Sequence, residues 1–185
     1  MKKVFRMCLG LAIPACVGIM ILSKEIIMIL AGKEFEAASR SMVILSPIII
    51  ITTMSNIVYY CILTPYKKEK EVLKCMIMST LVNILISILL IHSMKEVGVA
   101  IGSVVGEVVG LSLSLYYVNK NGIGISEMIP NLKVYTISSI LIGVICMCLK
   151  YVIGNILMRL IIAVIMSVVC YFIILYYDLR VKTTS

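Results

Sequence analysis

Charged side chains are scarce in this sequence. They make up 14% of the 185 residues, whereas 62% of the residues are hydrophobic. A soluble globular domain is typically about 45–50% apolar. The composition therefore argues against a soluble fold and favours a membrane protein.

The sequence also lacks the groupings of side chains that catalysis or metal binding requires. It has a single histidine, His92, no Ser/His/Asp or Cys/His arrangement and no phosphate-cradling Gly-Lys-Ser/Thr motif. Its seven cysteines lie in or at the edges of apolar segments without Cys-x-x-Cys pairs, as small hydrophobic residues of lipid-embedded helices do. We therefore expect no enzyme activity, no bound metal and no cofactor.

Basic residues give a net charge of +8 but do not form a nucleic-acid motif, because they sit in short clusters between apolar runs. A lipid bilayer is the expected partner, and nucleic acid is not. Runs long enough to cross about 30 Å of hydrocarbon can be placed six times, at 7–22, 42–63, 72–91, 98–118, 134–149 and 156–177. The sequence thus predicts an all-α integral membrane protein. The apolar residues 26–30 can lengthen the first span as a continuing tilted helix or form a surface turn that ends at Gly32.

The distribution of Lys and Arg predicts the orientation, because cytoplasmic loops of membrane proteins are enriched in both. Eleven lie on the side of the termini and six on the other, the latter being Lys24, Lys33, Arg40, Lys95, Lys150 and Arg159. Both termini are therefore predicted to be cytoplasmic. Arg159 and Lys150 lie near span ends, where snorkelling to the interface explains them.

Four glycines recur every four residues in the fourth span, at Gly98, Gly102, Gly106 and Gly110. This spacing predicts a shallow groove that lets another helix approach closely. The neighbour is expected within the same bundle, with a homodimer contact or a sliding seam as alternatives.

Polar residues inside the spans are the candidate functional residues. Glu107 lies near the middle of the fourth span, where an ionised carboxylate is costly, so it should face the bundle interior or a cavity. Asn83 and Asn56 lie inside the third and second spans and should bond to neighbouring helices. These three residues are candidates for a substrate or proton pathway, with packing as the alternative. Pro14 and Pro47 should kink the first two helices.

Two stretches and two single residues carry a family resemblance: Leu63-Thr64-Pro65-Tyr66-Lys67-Lys68-Glu69-Lys70, then Asn83, then Glu96-Val97-Gly98-Val99-Ala100-Ile101-Gly102-Ser103, then Glu107. This order resembles the C-terminal part of the bacterial polysaccharide flippases, which belong to the superfamily that also holds the multidrug exporters. Pro14, Gly18 and residues 21–35 are similar to the family's ninth helix. The resemblance covers roughly residues 10–118. Ser87 and His92 depart from an asparagine and a proline that the family often has.

The resemblance implies a transporter portion that, within a complete molecule, flips undecaprenyl-linked oligosaccharide across the bacterial cytoplasmic membrane. Complete relatives have about twelve to fourteen helices in two lobes, and this chain is similar to most of the second lobe. We therefore expect it to be a fragment or half of a split protein, with a separately encoded N-terminal lobe as a partner. A multidrug-exporter-type fragment and a small structural or assembly membrane protein remain alternatives.

The expected organisation has three parts. Residues 1–118 form the four-helix region that resembles the flippase lobe. Residues 119–133, which contain Asn121-Gly122 and Pro130, form a cytoplasmic loop. Residues 134–185 form a final two-helix hairpin and a short tail.

Overall fold

The computed structural model describes residues 2–123, 143–149, 156–159, 161–166 and 168–169. Every regular element among them is a helix. Four helical runs are long and apolar enough to cross a membrane: Met7–Leu30, Ala38–Leu63, Glu69–Met94 and Glu96–Lys120. The prediction of an all-helical protein with helices suited to a membrane is therefore confirmed.

The first helix, α1, runs from Lys2 to Leu30 and contains Pro14. It is longer than the predicted span 7–22, because Ser23, Lys24 and Glu25 continue the helix instead of ending it. The apolar residues 26–30 thus belong to the same helix. A 3₁₀ turn at Lys33–Phe35 leads into the second span.

The second span is built from three consecutive helical pieces: α2 at Ala38–Leu45, α3 at Ile48–Asn56 and a π-helix at Ile57–Leu63. The break between α2 and α3 falls at Pro47, which precedes the first residue of α3. A proline ring cannot donate the backbone hydrogen bond that a continuous helix needs at this point. The second break, into the π-helix, has no proline.

The third and fourth spans form an antiparallel hairpin. α4 runs from Glu69 to Met94 and α5 from Glu96 to Lys120, so Lys95 alone joins them, with a φ of 49°. α5 contacts α2, α3, the π-helix and α4, which makes it the central helix of the described bundle.

A buried hydrophobic core lies at the end of the bundle where α1 begins and α5 ends. It joins α1, the π-helix, α4, α5 and the turn after α5, and consists of Phe5, Leu9, Ile57, Val58, Tyr59, Ile62, Leu63, Val72, Cys75, Val118 and Ile123. A smaller cluster packs Leu22 of α1 against Cys146 and Ala163.

The last two predicted spans lie partly outside the described residues. Residues 143–149, 156–159, 161–166 and 168–169 are helical. Residues 134–142 of the fifth span, 170–177 of the sixth and the tail lie outside the description. Of the predicted loop 119–133, residues 119 and 120 end α5 and residues 121–123 form its closing turn, and the remainder is outside.

Candidate functional site

The groove of four glycines on α5 is occupied by α4. A Cβ atom added to Gly98 would lie 2.7 Å from the backbone carbonyl carbon of Leu90, and one added to Gly106 would lie 2.8 Å from the carbonyl oxygen of Ser79. A Cβ added to Gly102 would meet the side chain of Ser87 and lie 2.9 Å from its backbone nitrogen. These positions leave no room for a side chain, because backbone atoms cannot rotate away. The glycines were expected to contact a helix of the same bundle, a second copy of the chain or a sliding partner. The structure shows that they contact α4, the other helix of their own hairpin.

The residues of α4 that face Gly102, Gly106 and Gly110 are small and polar. Ser79, Asn83 and Ser87 are spaced every four residues and therefore lie along one side of the helix. We use the name polar seam for these three residues, for Gly102, Ser103, Gly106 and Gly110, which face them on α5, and for Glu107, which follows Gly106 in the chain. Ser79 was not singled out from the sequence, although its four-residue spacing from Asn83 was a readable signal.

Asn83 connects the two helices of the polar seam. Its side-chain oxygen Oδ1 accepts a hydrogen bond from the Ser87 hydroxyl at 3.1 Å and one from the Ser103 hydroxyl at 3.5 Å. The Ser103 hydroxyl has one proton, which Asn83 shares with the closer backbone oxygen of Val99, at 3.1 Å. Ser87, which replaces the asparagine common in the resembled family, thus takes part in the same network.

Glu107 lies one helical turn after Ser103 on α5 and is partly buried. An ionised carboxylate at the centre of a spanning helix costs at least about 2.5 kcal/mol when it faces lipid, so its surroundings decide its state. The hydroxyl of Tyr59, from the π-helix, reaches Gly110 on α5, where an added Cβ would lie 3.1 Å from its oxygen. The seam therefore has both a carboxyl group and neighbouring hydroxyl and amide groups.

The structure does not bring all three candidate pathway residues together. Asn56 is the last residue of α3, and its side chain is exposed on the surface of the described bundle. Asn83 and Glu107 belong to the polar seam. Pro14 lies in the continuous helix α1, beside an apolar cavity of about 240 Å³ that is also lined by Cys146, Ala163, Val164 and Val168.

A buried ion pair at the opposite end of the bundle from the hydrophobic core was missed by sequence reasoning. Arg159 Nη1 lies 3.0 Å from Glu25 Oε1, and the two side chains are 12% and 6% exposed. Arg159 was expected to snorkel to the interface; instead it turns inward, because the Glu25 carboxylate offers a charged partner. No local pattern predicts a pair between residues 134 positions apart.

The described residues form an all-helical fold with a polar contact surface between two helices that are long and apolar enough to cross a membrane. Within the described residues, no group of three or more His, Cys, Asp or Glu side chains is arranged to hold a metal ion. No protein-family model matches the chain, and no curated protein matches it at a significant level.

Proposed function

We propose that this protein is one lobe of a polysaccharide-type flippase and takes part in moving an undecaprenyl-linked oligosaccharide across the bacterial cytoplasmic membrane. The supporting observation is the polar seam. Asn83, the glycines that follow Glu96, and Glu107 carry the family resemblance in the sequence. In the fold Asn83 and these glycines meet between α4 and α5, and Glu107 lies one helical turn after Ser103, which bonds to Asn83.

The six-span topology and the likeness to a second lobe are part of this proposal. Alternating access in such transporters requires two lobes that move about a site near the middle of the membrane. Close helix contact through glycines and a polar network through Asn83 would keep the hairpin rigid during that movement. A separately encoded first lobe would supply the other half, and the transporter would have no enzymatic step.

Deletion of the gene in its host tests the proposal. We expect lipid-linked oligosaccharide to accumulate on the cytoplasmic leaflet and the exported glycan to disappear, and we expect the plasmid-borne gene to restore export. Unchanged glycan export together with increased sensitivity to small toxic cations would contradict the proposal and favour a multidrug-exporter type. If the deletion changes neither glycan export nor sensitivity to toxic cations, the result would favour a structural or assembly membrane protein.

Substitution of Glu107 tests the role of the seam within this function. Glu107→Gln keeps the size and the hydrogen-bonding capacity of the side chain but removes the titratable proton. If the carboxyl group serves transport, export falls while the level of the protein in the membrane stays normal. Export equal to wild type over the whole pH range would assign Glu107 to packing.

A further inference from the structure

The side of α4 that faces away from α5 is exposed along its length. α5 packs against the side of α4 that carries Ser79 and Asn83. Lys70 precedes Ser79 by nine residues, which is about two and a half turns of an α-helix, so Lys70 lies on the opposite side. We use the name outer stripe for the exposed residues that follow this opposite side at a spacing of three or four: Lys70, Lys74, Ile77, Leu81, Leu85 and Ile88.

The outer stripe begins with positive charge. Lys70 and Lys74 are one helical turn apart and both are exposed. Within the described residues, Glu71 pairs with Lys68, at 3.9 Å, and no carboxylate lies within ion-pair distance of Lys70 or Lys74. Glu69 and Glu71 each lie about 100° from Lys70 around the helix axis. The stripe itself therefore presents two cations and no anion.

The rest of the outer stripe is apolar. The side chains of Ile77, Leu81, Leu85 and Ile88 are between 49% and 61% exposed. At 1.5 Å per residue, the stripe extends about 21 Å from Lys74 to Ile88, which exceeds the roughly 15 Å of hydrocarbon in one leaflet. An acyl chain can therefore lie along this surface for its whole length while its headgroup is level with the lysines.

We propose that the outer stripe binds an anionic phospholipid, whose phosphate contacts Lys70 and Lys74 and whose acyl chain lies along Ile77, Leu81 and Leu85. The two lysines complement the net negative charge of such a headgroup, which a zwitterionic lipid lacks. A second copy packed stripe to stripe in the same orientation would bring its own lysines against these, and like charges repel. The site goes beyond the proposed function, because its ligand is a membrane lipid and not the transported substrate.

Fluorescence quenching tests this site, because the chain contains no tryptophan. Leu81→Trp places one reporter in the middle of the outer stripe, in the full chain reconstituted into vesicles. Brominated phosphatidylglycerol and brominated phosphatidylcholine quench a tryptophan that they contact, so their relative quenching compares anionic with zwitterionic lipid at this position. A lysine near a membrane surface favours anionic lipid by about fivefold. We expect a preference for phosphatidylglycerol of about fivefold or more.

Charge variants in the Leu81→Trp background locate the preference. Lys70→Gln together with Lys74→Gln should abolish it. Lys120→Gln is the matched control and should preserve it, because this exposed lysine lies at the same end of the hairpin but on α5. Equal quenching by the two lipids, or a preference that survives the loss of both lysines, would overturn the proposal. Quenching by neither lipid would also overturn it, because protein would then cover the stripe.

A second reporter and the composition of the vesicles make the test independent of other assumptions. Leu85→Trp lies one turn further along the stripe and gives the same measurement if Leu81→Trp does not fold. The vesicles contain no lipid-linked oligosaccharide, so the headgroup preference is measured without transport. A failure here leaves the flippase function standing, and a failed deletion experiment leaves the lipid site standing.

Discussion

At the scale of single residues, the glycines of α5 differ from one another in what surrounds them, although the sequence makes them look equivalent. The spacing of four predicted a groove, and the groove is there. What the spacing could not predict is the atom that fills it at each level. Leu90, Ser87, Asn83, Ser79 and Tyr59 do so in turn, and this order depends on the register between helices and on a π-helix.

Gly106→Ala should destabilise the protein, whereas Gly18→Ala should not. At Gly106 the new methyl group would lie 2.8 Å from both the Ser79 carbonyl oxygen and the Asn83 Cβ, so α4 would have to move away. Overpacking of this kind costs about 1–3 kcal/mol, which exceeds the gain of up to about 1 kcal/mol in helix propensity. Gly18 on α1 has no atom within 4 Å of its added Cβ, so only the propensity gain applies there.

Unfolding in detergent micelles, followed by circular dichroism, measures both variants. We expect a lower midpoint for Gly106→Ala and an equal or higher midpoint for Gly18→Ala. Equal midpoints for the two would show that α4 and α5 are not in backbone contact.

At the scale of helices, hydrophobicity alone predicted the positions of the second, third and fourth spans to within a few residues. Span 72–91 became α4 at Glu69–Met94, with Glu69 and Glu71 in its first turn, where carboxylates stabilise a helix N-terminus. The end of α1 was left open between a continuing helix and a surface turn, and the structure shows the continuing helix. Ser23-Lys24-Glu25 has the polarity of a loop, but Glu25 is buried against Arg159, far along the chain.

The π-helix shows a second limit of sequence reasoning. Residues 57–63 are as apolar as an ordinary α-helix, and their pattern contains no proline or glycine that would mark an irregular turn. The widened turn instead satisfies packing around Tyr59, Ile62 and Leu63, which are all buried in the hydrophobic core. This π-helical turn depends on the neighbouring helices, so the sequence could not identify Tyr59 as the neighbour of Gly110.

The Glu25–Arg159 pair should contribute strongly to the attachment of α1 to the C-terminal helical residues. Because both side chains are buried, Glu25→Gln or Arg159→Gln alone would leave an uncompensated charge, at a cost of about 3–5 kcal/mol. The double variant removes both charges and should recover much of this loss. Unfolding in detergent micelles, followed by circular dichroism, measures the stability of both single variants and of the double variant.

The neighbouring pair Lys24–Glu36 provides the matched control, because its side chains are 52% and 49% exposed. Lys24→Gln should change the unfolding midpoint little, since water and salt screen an exposed pair. A Glu25→Gln variant as stable as Lys24→Gln would mean that the two helical parts are held together mainly by the apolar contacts of Leu22, Cys146 and Ala163.

At the scale of the whole molecule, the order of the four described spans places the connections at alternating ends. The turn at residues 64–68 and the end of α5 lie at the end of the bundle where α1 begins, while Lys33 and Lys95 lie at the other. The first end carries the larger share of the positive charge in the sequence. An excess of Lys and Arg marks the cytoplasmic side, so the turn at 64–68 is predicted to face the cytoplasm.

Single-cysteine labelling of intact cells tests this orientation. In a variant whose seven native cysteines are replaced by alanine, Lys33→Cys and Lys95→Cys should react with a membrane-impermeant maleimide added outside. Lys67→Cys should react only after the membrane is opened. All three side chains are exposed in the structure, so a lack of reaction reports the membrane and not burial. The exact reverse pattern would contradict the charge argument while keeping the four spans. Labelling of Lys67 and Lys95 from the same side would contradict the spans themselves, because α4 alone separates these two residues and must then fail to cross.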